Sequence, residues 1–221
     1  MDTVRSNFTN RTQAGRELAA ELRKREWRDP VVLALPRGGV PVAFEVAQAL
    51  KAPLDLAMVR KIGAPGNSEY AIGALVDGNS PVIVLDQQAV SRTGATEEYI
   101  ELSKQAALKE IERRRVAYGA AQPIPLKGRT AILVDDGIAT GSTAKAALKA
   151  IRKASPETVV LAVPVAPLDA ITRLSPLCDE IVCLATPAEF YSVGEHYDEF
   201  DQTSDADVIR CINEARKQAQ P

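Results

Sequence analysis

The stretch VDDGIATGST, residues 134–143, places two carboxylates, Asp135 and Asp136, at the exit of an apolar run. Small and hydroxyl-bearing residues follow at once. Carboxylate oxygens suit sugar hydroxyls or a hard cation such as magnesium, and they repel anions. The next residues do the opposite. Gly137 permits a backbone turn that a Cβ would hinder, and Ala139, Thr140, Gly141, Ser142 and Thr143 form a tight loop that opens a helix. The first N–H groups of a helix have no internal partner and the helix dipole adds positive potential, so such a loop attracts phosphate. A ligand suited to both halves carries hydroxyls or a metal at one end and a phosphate monoester at the other. The Walker spacing fails here, and no Gly-x-Gly-x-x-Gly is present.

Other chemistry gathers at the ends of apolar runs. In LALPRGG, Arg37 offers a planar fork suited to phosphate, and Gly38 and Gly39 let the backbone close on a ligand. Arg60 and Lys61 end a second run, LDLAMVRK, where adjacent cations need partners. A diphosphate is one such partner; Asp55 and Glu69 are others. The charge run Glu112–Arg115 reads first as a solvated helix face, with Arg113 to Arg115 as a further source of cations for a ligand.

The elements that must position these residues alternate. Residues 10–25 have helical spacing, with Ala14, Leu18, Ala19 and Leu22 on one face and Asn10 as cap. DPVVLALP, LDLAMVRK, RTAILVDD, ETVVLAVPV and DEIVCLA are short apolar runs, the pattern of strands buried on both faces. Helices are predicted over VPVAFEVAQAL, Thr96 to about Tyr118, Ser142 to Lys153, and LDAITRLSPL. NSEYAIGALVDG and PVIVL read as a hairpin around DGNS. Alternating strands and helices predict a parallel sheet covered on both faces, with ligands beyond the carboxyl ends of its strands.

Composition excludes several alternatives. A net charge of −2 and 5% aromatic residues give no footprint for nucleic acid. The three cysteines, Cys178, Cys183 and Cys211, match no zinc spacing and read as reduced thiols. His196 is the single histidine, which leaves no basis for a multi-histidine metal site. No apolar run reaches the length of a membrane span and the first residues lack a signal core, so the expected location is cytoplasmic.

AILVDDGIATGST resembles the phosphoribosyl-pyrophosphate (PRPP) motif of type I phosphoribosyltransferases, with Thr140, Gly141 and Thr143 filling its Thr-Gly-x-Thr ending. LALPRGGVPVA is similar to the family's pyrophosphate loop, and VRKIGAPGN resembles the Arg-Lys step of orotate phosphoribosyltransferases. The combination looks most like a bacterial branch known chiefly as predicted phosphoribosyltransferases. The resemblance implies a three-layer α/β/α domain over residues 1–221, with a central parallel sheet of about five strands. It implies a small hood from the N- and C-terminal segments, the latter over 186–221, and an insertion over 64–127 where the family places a mobile catalytic loop.

The implied activity is transfer of a 5-phosphoribosyl group from PRPP to a nitrogenous acceptor, with release of pyrophosphate. Asp135 and Asp136 would be catalytic, and residues 139–143 would hold the 5′-phosphate. Arg37, Gly38, Gly39, Arg60 and Lys61 would hold the pyrophosphate. Magnesium would bind mainly through PRPP and water, with Asp135 or Asp136 as a further contact. A strained or cis peptide is expected at Arg37–Gly38. Phe190 and Tyr191 resemble the base-stacking position of hypoxanthine-type enzymes, but the lysine those enzymes use is absent, with Pro164 near its place. A homodimer is the implied assembly. The alternative is a regulatory protein that binds PRPP or a nucleotide without turnover.

Overall fold

The computed structural model describes residues 7–78, 81–120 and 122–219. Asn79 and Ser80 of the expected hairpin turn lie outside them. The chain opens with α1 (Arg11–Leu22), capped where Asn10 Oδ1 accepts from the Gln13 N–H at 3.0 Å. Next come β1 (Pro30–Ala34), α2 (Gly39–Leu50) and a short β2 (Leu54–Leu56). A second sheet follows from β3 (Val59–Ala64), β4 (Asn67–Val76) and β5 (Val82–Leu85), then α3 (Gln87–Thr93) and α4 (Glu97–Ala117). The alternation resumes with β6 (Thr130–Val134), α5 (Ser142–Lys153), β7 (Thr158–Val165), α6 (Leu168–Leu174), β8 (Glu180–Ala185) and α7 (Asp205–Ala219).

Five strands make the main sheet, in the order β2-β1-β6-β7-β8, all parallel. Successive side chains of a strand point to opposite faces, and both faces are apolar here. Val32, Ala34, Ile132, Val134, Val160, Ala162 and Val182 pack with α1, α2 and α7. Val31, Leu33, Ala131, Leu133, Val159, Leu161 and Val163 pack with α5 and α6. That is the expected three-layer α/β/α architecture. From β1 the chain moves outward to β2, whereas from β6 it moves the other way through β7 to β8. The carboxyl ends of β1 and β6 therefore flank a topological switch point, where such sheets bind ligands.

Two expectations need correction. LDLAMVRK is not one strand. It breaks after Leu56, and Met58 is drawn to the hairpin, its N–H donating to Asp77 Oδ1 at 2.9 Å while Asp77 N–H donates to Met58 O at 3.0 Å. Arg60 and Lys61 thus sit on the small antiparallel sheet, paired in register with Leu75 and Ala74. Between β3 and β6 the described residues form the expected hairpin and long helix, with the short α3 added between them.

Arg115 is the second correction. It is a buried tie, not a ligand cation. Its Nη1 donates to Asp55 Oδ1 at 3.0 Å and to Ala120 O at 2.7 Å, its Nη2 to Leu56 O at 2.8 Å, and its Nε pairs with Asp77. Asp55, offered above as a partner for Arg60 or Lys61, is taken by this cluster, and Asp77 is pushed up by its burial against the pull of Arg115. The side chain of Glu69 lies outside the described ones. Arg113 and Arg114 are held by Glu110 on the exposed side of α4. Removing one member of a buried ion cluster strands the others, at about 3–5 kcal/mol. Arg115→Met should lose stability of that order in urea unfolding; a loss within error of zero would contradict the assignment.

Candidate active site

Asp135 and Asp136 leave the carboxyl end of β6, the central strand. The loop after β1 lies directly against them. A Cβ on Gly38 would fall 2.2 Å from Asp136 Oδ2, and one on Gly39 would fall 2.9 Å from both Asp135 Cα and Val134 O. Both glycines are therefore needed for close approach. The register is fixed alongside, where Leu35 N–H donates to Val134 O at 2.9 Å. The loop contains a cis peptide at Pro36–Arg37, one bond earlier than the expected Arg37–Gly38.

The acids differ in their surroundings. Asp135 Oδ1 accepts the N–H of Asp136 at 2.9 Å. Burial, and next the charge of Asp136, hold the Asp135 carboxyl well above the usual carboxylate range. Asp136 Oδ2 accepts from Arg11 Nε at 2.7 Å, and the Asp136 carbonyl accepts the Tyr197 hydroxyl. Neither Arg11 nor Tyr197 was marked by the sequence motifs. Their contacts with Asp136 span 125 and 61 residues of chain, so no local spacing reveals them. Burial beside Asp136 pushes the Tyr197 hydroxyl up, which keeps it a donor.

Beyond the acids, Ile138 N–H donates to Val165 O at 2.9 Å, which pins the turn to β7. Gly141 has φ +75°, a conformation that disfavours any Cβ, and it precedes the first residue of α5. Ala139, Thr140, Ser142 and Thr143 line the loop at or near the surface, with Thr140 Oγ1 and Ser142 Oγ 3.3 Å apart. Arg173 reaches this loop, its Nη2 donating to Thr140 O at 3.4 Å. The first-turn N–H groups of α5 point out of the helix end, and Arg152 and Lys153 complement the dipole at the other end. Two carboxylates that can accept from hydroxyls thus precede a helix start whose first N–H groups suit an anion, on one strand–loop–helix unit. Among the described residues no cluster of three or more acidic, cysteine or histidine side chains could hold a metal. The two adjacent carboxylates fit only an ion whose other ligands come from substrate and water.

The family model described as the phosphoribosyl transferase domain matches residues 6–199, which include this whole unit. The chain belongs to the phosphoribosyl transferase family. Two Mycobacterium tuberculosis proteins, from strains CDC 1551 and H37Rv, each named "Putative phosphoribosyl transferase", are 46% identical over 211 residues, 95% of this chain. That stretch is 47% of their length, so the chain spans about half of these curated relatives. The crystal structure of TT1426 from Thermus thermophilus is 41% identical, with a TM-score of 0.81 over 94% of this chain and 98% of that one.

Of the remaining candidates in this family member, Arg37, Arg60 and Phe190 contact residues other than the acid pair. Arg37 is half-exposed, with Nη1 3.4 Å from Asp205 Oδ1, which also accepts the Tyr118 hydroxyl at 2.8 Å. Arg60 faces α4, 3.7 Å from Glu110 Oε1, and Lys61 is beside it on β3. Phe190 is half-buried and stacks on His196, centroids 5.0 Å apart. His196 is buried, and Tyr191 is 80% exposed. The tail also holds a helix that the sequence reading left unassigned. The signal for α7 was present as a capping box, with Ser204 and Asp207 exchanging backbone and side-chain bonds. Val208, Cys211 and Ile212 bury its inner face. Gly38→Ala should force Asp136 off its position and cost about 1–3 kcal/mol, as overpacking does. An unchanged thermal denaturation midpoint would mean that the loop has slack.

Proposed function

We propose that this chain transfers a 5-phosphoribosyl group from PRPP to a nitrogen of a small acceptor and releases pyrophosphate. The observation that carries the reading is the Asp135–Asp136 pair followed by an anion-binding helix start, on the central strand of a phosphoribosyl transferase domain. In this reading the N–H groups and hydroxyls of 139–143 hold the 5′-phosphate. The carboxylates of Asp135 and Asp136 accept hydrogen bonds from the ribose hydroxyls. Arg37, with the backbone of Gly38 and Gly39, holds the pyrophosphate, and Arg60 and Lys61 extend that station from β3.

The chemistry is displacement at the anomeric carbon. The bond from that carbon to the diphosphate oxygen breaks, its electron pair leaves with pyrophosphate, and the acceptor nitrogen supplies the new bond and loses a proton. The transition state concentrates positive charge on the sugar. Asp135 and Asp136 lie where that charge develops, in a half-buried setting that strengthens their effect. Contacts to the remote phosphate orient the reacting carbon. Magnesium, carried by the diphosphate and water, would neutralise the leaving group. Phe190 presents a flat apolar face to an acceptor ring. Among the described residues no helix is long and apolar enough to cross a membrane. A reducing, cytoplasmic setting for the reaction is part of the proposal, and the three free thiols support it.

The test is incubation with labelled PRPP, magnesium and a panel of purine, pyrimidine and nicotinate-type acceptors. Acceptor-dependent pyrophosphate release should appear for at least one class, and Asp135→Asn should lower its kcat by about 10²–10³-fold, the scale of a lost electrostatic contact. Tight PRPP binding with no release for any acceptor would instead support a regulatory PRPP-binding protein. No PRPP binding would overturn both.

A further inference from the structure

Arg11 is the first residue of α1, at the end where the helix dipole disfavours a cation, and no acidic residue in that turn offsets it. Its side chain is nevertheless only 12% exposed. The guanidinium makes three distinct contacts. Nε donates to Asp136 Oδ2 at 2.7 Å, Nη1 donates to the Asp201 carbonyl at 2.7 Å, and the central carbon lies 3.8 Å from the centre of the Phe200 ring.

Phe200 and Asp201 directly follow the matched stretch, in a hood built from segments near its two ends. Phe8 and Tyr197 form a parallel bridge, their rings 5.6 Å apart, and Tyr197 packs on Phe200 at 5.0 Å. The Asp198 and Glu199 amides donate to the Phe8 and Thr9 carbonyls at 2.8 and 2.9 Å. The same hood touches residue 136 a second time, through the Tyr197 hydroxyl on its carbonyl. A guanidinium serves two acceptors and a ring at once because its donors are fixed in a plane; an ammonium cannot reproduce that set.

We infer that Arg11 is a positioning residue that latches the hood onto Asp136. The orientation of one ribose-facing carboxylate and the seating of the segment beside Phe190 are then a single coupled arrangement. With Oδ2 bonded to Arg11, the plane of the Asp136 carboxylate is set before a ligand arrives. This inference rests on reading the acid pair as the ribose site, but its structural half is independent of any substrate.

The experiment has two arms. Hydrogen exchange of the ligand-free full chain is followed at the Asp198 and Glu199 amides. Arg11→Gln and Asp136→Asn should each accelerate it by about tenfold or more, the scale of a lost charge-assisted hydrogen bond. The double variant should exchange no faster than the faster single variant, and the β6 and β7 amides should keep their protection. Additive effects, or hood amides that do not respond, would overturn the latch. In the second arm, calorimetry with PRPP and magnesium should show about tenfold weaker binding by Arg11→Gln, with Arg11→Lys recovering part of it. Unchanged affinity in Arg11→Gln would overturn the positioning role. If the unaltered protein does not bind PRPP, the proposed function fails, and the exchange arm still decides the latch.

Discussion

Two carboxylates on consecutive residues, at the end of a strand buried on both faces, are the constraint around which the rest of the molecule is arranged. Burial, and next the charge of Asp136, disfavour ionisation of the Asp135 carboxyl. The surroundings answer from several directions. Arg11 neutralises Asp136, the N–H of Asp136 bonds Asp135 Oδ1, and the β1 loop meets both acids with glycine alone. A side chain at Gly38 would displace the Asp136 carboxylate, and one at Gly39 would meet the β6 backbone. An incoming hydroxyl-rich or metal-bearing ligand would then complete a site whose acid pair the protein offsets with one arginine.

The β6–α5 unit was legible in the sequence because every determinant is local. An apolar strand, adjacent acids, Gly137 and Gly141, and an alanine-rich helix lie within a few turns of chain. The five-strand sheet was legible for the same reason, since both faces of β1, β6 and β7 are apolar. What was not legible depends on distant partners. The break between β2 and β3 occurs within an unbroken apolar run, because Met58 bonds to Asp77 nineteen residues on. Arg115 looked like part of a solvated charge run, yet Asp55 and Asp77 draw it inside. Arg11 looked like an ordinary helix residue, and its partner lies 125 residues away. The helix α7 was the exception, since its capping box and apolar spacing were readable from Ser204 onward.

The two sides of the switch point have different characters. On the β6–α5 side the exposed polar groups are backbone amides and short side chains fixed by the sheet, which would suit a phosphate and a sugar. On the hood side, aromatic rings and one arginine bring together segments from opposite ends of the chain. Pro164 lies buried in β7 and offers no side-chain donor to an acceptor. Under the proposed function, recognition there would rest on ring stacking and shape, which suit flat heterocycles without reading one carbonyl pattern.

The central claim is that one ligand spans the acids and the helix start. The direct measurement is a crystal structure of the protein with PRPP and magnesium. The account predicts the 5′-phosphate within hydrogen-bond distance of the backbone N–H groups of the 139–143 loop and the ribose hydroxyls on Asp135 and Asp136. A phosphate bound elsewhere, or a ribose away from both carboxylates, would contradict it.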